Sequence, residues 1–179
     1  MKILSLLKSR TLISKEKLHL YENFGEANLS AIEMAKQGVK ARVTPISNFY
    51  ILSRYEDKKE IKELKRKTLI FYYHFKLKGL NFEQTSRAMQ TKEKTLVTYA
   101  SSCIQNNLIT LLELEYFTEL NDNEIDLIAN HFETYIFTEE GIKLKPTYEF
   151  SLKNGINASY EELRLIVSEL VRIKNSEIV

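Results

Sequence analysis

Apolar residues recur along most of this chain at spacings of three and four, the period of a helix buried on one face. From residue 57 to 78 the row is Ile61, Leu64, Thr68, Phe71 or Tyr72, and Phe75. Lys58, Lys59, Lys62, Lys65, Arg66 and Lys67 occupy the other side. Gly79 is placed to stop this helix, because glycine adopts the left-handed backbone of a helix end without penalty. Asn81 can cap a second helix, Phe82 to Met89, and Gln90-Thr91 reads as a turn. A third segment, Lys92 to Asn107, turns Leu96, Ala100 and Cys103 inward, with Ile104 beside them. Asn121 or Asp122 caps a fourth, whose inner row is Ile125, Ile128, Phe132 and Ile136, and Gly141 ends it. Lys145 to Leu152 is short, and Asn154-Gly155 is a turn. Ser159 and Glu162 have capping-box spacing. They head a last helix with the stripe Leu163, Ile166, Val167, Leu170 and Ile173. The pattern predicts helices over 58–78, 81–89, 93–107, 122–136 and 159–173, with the last stripe buried against 122–136.

Residues 1 to 55 keep no such period. Leu4, Leu7, Leu12, Leu18 and Leu20 are irregularly spaced. Residues 40–55 look extended, and Pro45 excludes a helix there. The expected fold is mainly α: a helix-turn-helix core with additional C-terminal helices and an N-terminal arm or small subdomain holding two short strands. Residues 1–56 form the arm and 57–179 the helix-turn-helix domain with its extension.

Composition narrows the class. A chain of 179 residues with 44% apolar and 28% charged residues has enough material for a core without disulfides or metal. The apolar run at the N-terminus, Ile3 to Leu7, is too short for a signal peptide. No stretch approaches the ~18–20 apolar residues of a spanning helix. The single cysteine permits no intrachain disulfide. A cytoplasmic protein without membrane contact is the expectation. The net charge of +2 conceals an uneven distribution: residues 1–100 carry 20 Lys/Arg against 10 Asp/Glu, and residues 101–179 carry 6 against 14. Such an imbalance points to a polyanionic partner for the first part. Attraction between the two parts of one fold is the alternative.

Candidate chemistry follows from the third helix. In a helix-turn-helix this element enters the major groove. Lys92, Lys94, Thr95, Thr98, Ser101, Ser102 and Gln105 lie off its apolar side. Lysine reaches phosphate or guanine edges, and glutamine pairs with adenine. Lys58, Lys62, Lys65 and Arg66 can add sequence-independent phosphate contacts, or form a solvated face eased by Glu60 and Glu63. Phe71, Tyr72, Tyr73 and Phe75 have core spacing rather than that of a base-stacking platform. His19, His74 and His131 lack partners at metal-ligand spacing. Cys103 faces inward, and Ser159 reads as a cap. The acidic residues from Glu113 to Asp126 read as a solvated surface. No catalytic constellation, metal site or cofactor is expected.

Three stretches resemble the helix-turn-helix domain at the C-terminus of RecQ- and Werner-type DNA helicases, also found in helicase-associated bacterial proteins. They are Thr68 to Gly79, Asn81 to Ile109 with Asn81-Phe82-Glu83-Gln84 and Thr95-Leu96, and Leu144 to Val167 with LKPTYE and SYEELRLIV. The similarity spans residues 68 to about 172. The helicase motor's P-loop is missing. Thr85, Ser86, Gln90 and Lys92 replace the family's usual aliphatic, Ala, Gly and Ser, each weakening packing or capping by about 0.5–1 kcal/mol. The resemblance implies a non-enzymatic nucleic-acid-binding protein, DNA-binding and favouring duplex over single strands, in transcription control or DNA maintenance. The alternative is a protein-interaction adaptor that keeps the shape and holds a protein partner through the N-terminal arm or the acidic C-terminal half.

Overall fold

The computed structural model describes residues 18–54, 64–114, 116, 120–134 and 143–177. They are mostly helical, with one small antiparallel sheet. The sheet comes first. Strand β1 (His19–Tyr21) leads into helix α1 (Phe24–Lys36), then strands β2 (Ala41–Ile46) and β3 (Phe49–Arg54). The order is β1-β3-β2, so β3 is central. Ile46 pairs with Phe49, which leaves a two-residue loop, and its first residue, Ser47, has φ +56. Pro45 is tolerated because β2 is an edge strand, where a missing N–H interrupts less of the ladder.

Strand alternation sends β3 side chains to two covered faces. On one, Phe49 stacks on Tyr73 at 4.3 Å; on the other, Tyr50 meets Phe24 of α1 at 5.5 Å. Leu18, Phe49 and Ile51 share one continuous core with the helical part of the chain. Residues 18–54 thus pack against the helical part through Leu18, Phe49 and Ile51. Helix α1 lies where no helix was expected. Asn23 caps it by accepting from the Gly25 N–H at 2.7 Å, and Glu26 and Lys36 complement its dipole at the two ends. Only Ala27 is fully buried, with Ser30, Ala31 and Met34 half-buried, so no inner stripe of large apolar residues announces it.

Helix α2 runs Arg66–Tyr72 and continues as a π-helical turn, Tyr73–Leu77. The expectation of one helix over 58–78 is corrected at its start: Lys65 is extended, at ψ 141, and Leu64 enters the core ahead of the helix. Residues 58–63 lie outside the described residues. Phe71, Tyr72 and Tyr73 are all buried, so this element runs through the interior and its aromatics are core. Glu22, Tyr73 and Lys78 tie it to β1. The Tyr73 hydroxyl donates to Glu22 at 2.7 Å, and Lys78 pairs with the same carboxylate. Hydrogen bonds from Lys78 and Tyr73 hold the Glu22 carboxyl below its usual range.

Gly79, at φ +62, ends the π-turn. Helices α3 (Phe82–Ala88) and α4 (Glu93–Gln105) follow, then a 3-10 turn at Leu112–Leu114, α5 (Asp122–Glu133), α6 (Leu144–Lys153) and α7 (Tyr160–Glu177). The expected caps are present. Asn81 with Gln84 and Asn121 with Glu124 form capping boxes. At α7 the Ser159 N–H donates to Glu162 at 2.7 Å, and the Glu162 N–H donates back to the Ser159 hydroxyl at 3.2 Å.

The stripe Leu163, Ile166, Val167, Leu170 and Ile173 is buried, and so are Leu165, Ser168, Glu169 and Arg172. Helix α7 is thus covered almost all round. It touches α5 and α6, but its most extensive partner is α4. The expected pairing with 122–136 is the lesser contact. Glu169 and Arg172 form a buried bidentate pair, at 3.0 and 2.6 Å. Glu169 also accepts from the Leu111 N–H, and Arg172 donates to the Asn107 side chain. The pair thereby fastens the chain leaving α4 to the last helix.

Candidate nucleic-acid interface

The local sequence builds α3, a tight turn and α4 as follows. Phe82 and Thr85 turn inward from α3, and Leu96, Val97, Ala100, Cys103 and Ile104 turn inward from α4. Between them the backbone reverses at Gln90, which sits at φ +49. That conformation is natural for glycine and costly for glutamine. The polar residues expected to weaken this unit are locally satisfied. The Thr85 hydroxyl donates to the Leu80 carbonyl at 3.4 Å, and the Ser86 hydroxyl donates to the Thr91 carbonyl at 2.5 Å. The Thr91 hydroxyl in turn donates to the Met89 carbonyl at 3.0 Å. The Ser86 and Thr91 hydroxyls thus brace a turn that lacks its glycine.

The outer side of α4 is polar, and its residues meet different surroundings. Lys92 is the N-cap residue and is exposed, with no side-chain capping bond. Thr95 is exposed one turn on, and Ser102 is half-buried. Lys94, Thr98 and Gln105 lie along the edge nearest α7. Lys94 stands 3.7 Å from the Glu161 carboxylate. Thr98 accepts a hydrogen bond from Arg164 at 3.2 Å, and Gln105 donates to the Ser168 hydroxyl at 3.2 Å. Ser101 does not belong to the exposed row. It is 6% exposed and shares a 2.5 Å hydrogen bond with Ser168. The sequence pattern sets it in the outer polar row, but α7 closes over that edge of α4.

Lys65 and Arg66 are exposed at the start of α2. Lys58 and Lys62 lie outside the described residues. Arg164 escaped sequence reasoning because it falls inside the leucine-rich stretch of the last helix. It is exposed, and its guanidinium reaches the outer row of α4. The signal that could have found it is the opposing polarity of Arg164 within a stripe of Leu163, Leu165 and Ile166.

The rest of the titratable chemistry is dispersed. Among the described residues no group of His, Cys, Asp and Glu is arranged to hold a metal ion. Cys103 is fully buried, its thiol faces the Thr68 carbonyl at 3.8 Å, and burial pushes the thiol far above its usual range. His131 hydrogen-bonds the Thr147 hydroxyl at 3.1 Å and stacks on Phe150 at 3.9 Å. Desolvation holds it below its ordinary pKa, as it does His74, where Lys78 adds to the effect. No described helix is long and apolar enough to cross a membrane. Comparison with protein-family models, curated proteins and solved structures finds no match to this chain.

Proposed function

We propose that this chain binds duplex DNA without catalysis, as a helix-turn-helix protein of transcription control or DNA maintenance, with α4 as the helix that meets the groove. The observation that carries this reading is the outer row of α4. Lys92, Thr95 and Thr98 stand on the surface directly after a tight turn. Arg164 lies at its edge. Cations and short hydroxyls on such a helix support groove reading. The N-terminal end of α4 also favours an anion through its dipole. Glu93 and Glu161 oppose it, so affinity depends on cations outnumbering two nearby carboxylates.

A binding titration on duplex and single-stranded DNA at two salt concentrations tests the proposal. Affinity for duplex should exceed that for single strands and fall steeply with salt. Lys92→Ala with Lys94→Ala should weaken duplex binding and reduce the salt slope by about two charges. Lys143→Ala with Lys145→Ala should do much less. Absence of duplex binding at low salt would reject the proposal. A protein-binding module is the second reading, and the outward face of α1 is the observation that favours it.

A further inference from the structure

We propose that the outward face of α1 pairs with the same face of a second copy of this chain, antiparallel about a two-fold axis. This inference does not rest on DNA binding. A helix lying on a sheet normally turns its largest aliphatic residues inward. Helix α1 instead leaves two of them outside: Leu29 and Ile32 are 64% and 45% exposed. Gly25, Leu29, Ile32 and Lys36 are all exposed and spaced four, three and four apart, so they form one continuous seam.

Charge selects the partner. Glu26 lies in the first turn and Lys36 in the last. Neither is ion-paired among the described residues. Such a helix is acidic at one end and basic at the other, and it complements itself only when two copies run antiparallel. An axis passing between Leu29 and Ile32 sets each Leu29 against the other copy's Ile32. It also sets each Lys36 against the other copy's Gly25, where the missing side chain leaves room for the lysine stem. The ammonium then lies beside the other copy's Glu26 and its own Glu33. The two helix dipoles oppose, which is their favourable arrangement. An isologous contact of this kind closes on itself and stops at the dimer.

The seam is one helix long, about 20 Å at 1.5 Å per residue. It should therefore give a dimer of modest affinity, with a Kd of about 1–100 µM, below the standard interface class. Sedimentation equilibrium of the full chain over roughly that range and tenfold above it reads the result. Wild type should pass from monomer to dimer and form nothing larger. Leu29→Asp with Ile32→Asp should stay monomeric throughout, with unchanged helical circular dichroism and an unchanged thermal transition. Glu26→Lys and Lys36→Glu should each weaken the dimer several-fold, and the double exchange should restore it, an outcome that misfolding cannot imitate. A wild-type chain that stays monomeric overturns the proposal. So does a dimer indifferent to the aspartates, or an exchange that fails to restore association.

Discussion

At Gln90 the chain pays a local cost for its turn. Its φ of +49 belongs to the left-handed region, where a β-carbon crowds the backbone. Gln90→Gly should therefore stabilise the protein by about 0.5–1 kcal/mol in a urea titration. A loss of stability would mean that the glutamine side chain holds the turn. The buried Glu169–Arg172 pair makes the opposite kind of residue-scale demand. Arg172→Met leaves a buried carboxylate without its cation, which should cost on the order of 3–5 kcal/mol. Adding Glu169→Met should recover part of that loss, because removing both charges also removes the penalty of burying one alone. If the double variant is as unstable as the single one, the pair matters through its bonds to Leu111 and Asn107 instead.

Among the elements, helices with one wet face and a good cap were legible. Asn81 caps as expected, Asn121 is the cap where Asn121 or Asp122 was expected, and Ser159 caps with Glu162 as its capping-box spacing said it would. Two kinds of element were not legible. Helix α1 fully buries only Ala27, so its inner face has no strong apolar period, and Leu29 and Ile32 lie on its exposed side, against a simple amphipathic pattern. Helix α7 is buried on several sides, and a single stripe cannot say which neighbour takes which side. For the same reason Ser101 was placed with the exposed row of α4, since only the packed α7 shows that this edge is closed. Leu170→Ala, in the α7 stripe, should cost about 2–5 kcal/mol by chemical denaturation. A loss below about 1 kcal/mol would show that the surroundings of Leu170 collapse easily around a smaller residue.

For the whole molecule, pH acts through histidines held in their neutral form. His131 and His74 both have lowered pKa values, chiefly from desolvation. A lowered histidine pKa means that the unfolded chain binds the proton more readily. The stabilisation from neutral histidine is therefore complete above about pH 6.5, the unfolded value, and is lost as pH falls through the lower folded value. Thermal melts should show a falling transition temperature as pH drops below this point. His131→Phe should reduce that acid dependence while keeping the ring stacked on Phe150. An unchanged acid dependence in this variant would place its origin elsewhere.

The burial of Cys103 has a practical consequence. The chain contains one cysteine, and its thiol is sealed at 0% exposure between α4 and the backbone of α2. An alkylating reagent can reach it only when those two elements part. Its labelling rate in native buffer is thus a clock for the opening of the central core, read at one atom without any engineered probe. Where closing outpaces labelling, the rate divided by that of the unfolded chain is the population of open molecules. Variants at Gln90, Leu170 and Arg172 can be ranked by that clock at low concentration, and DNA that binds the closed form should slow it by the factor that its affinity and concentration dictate.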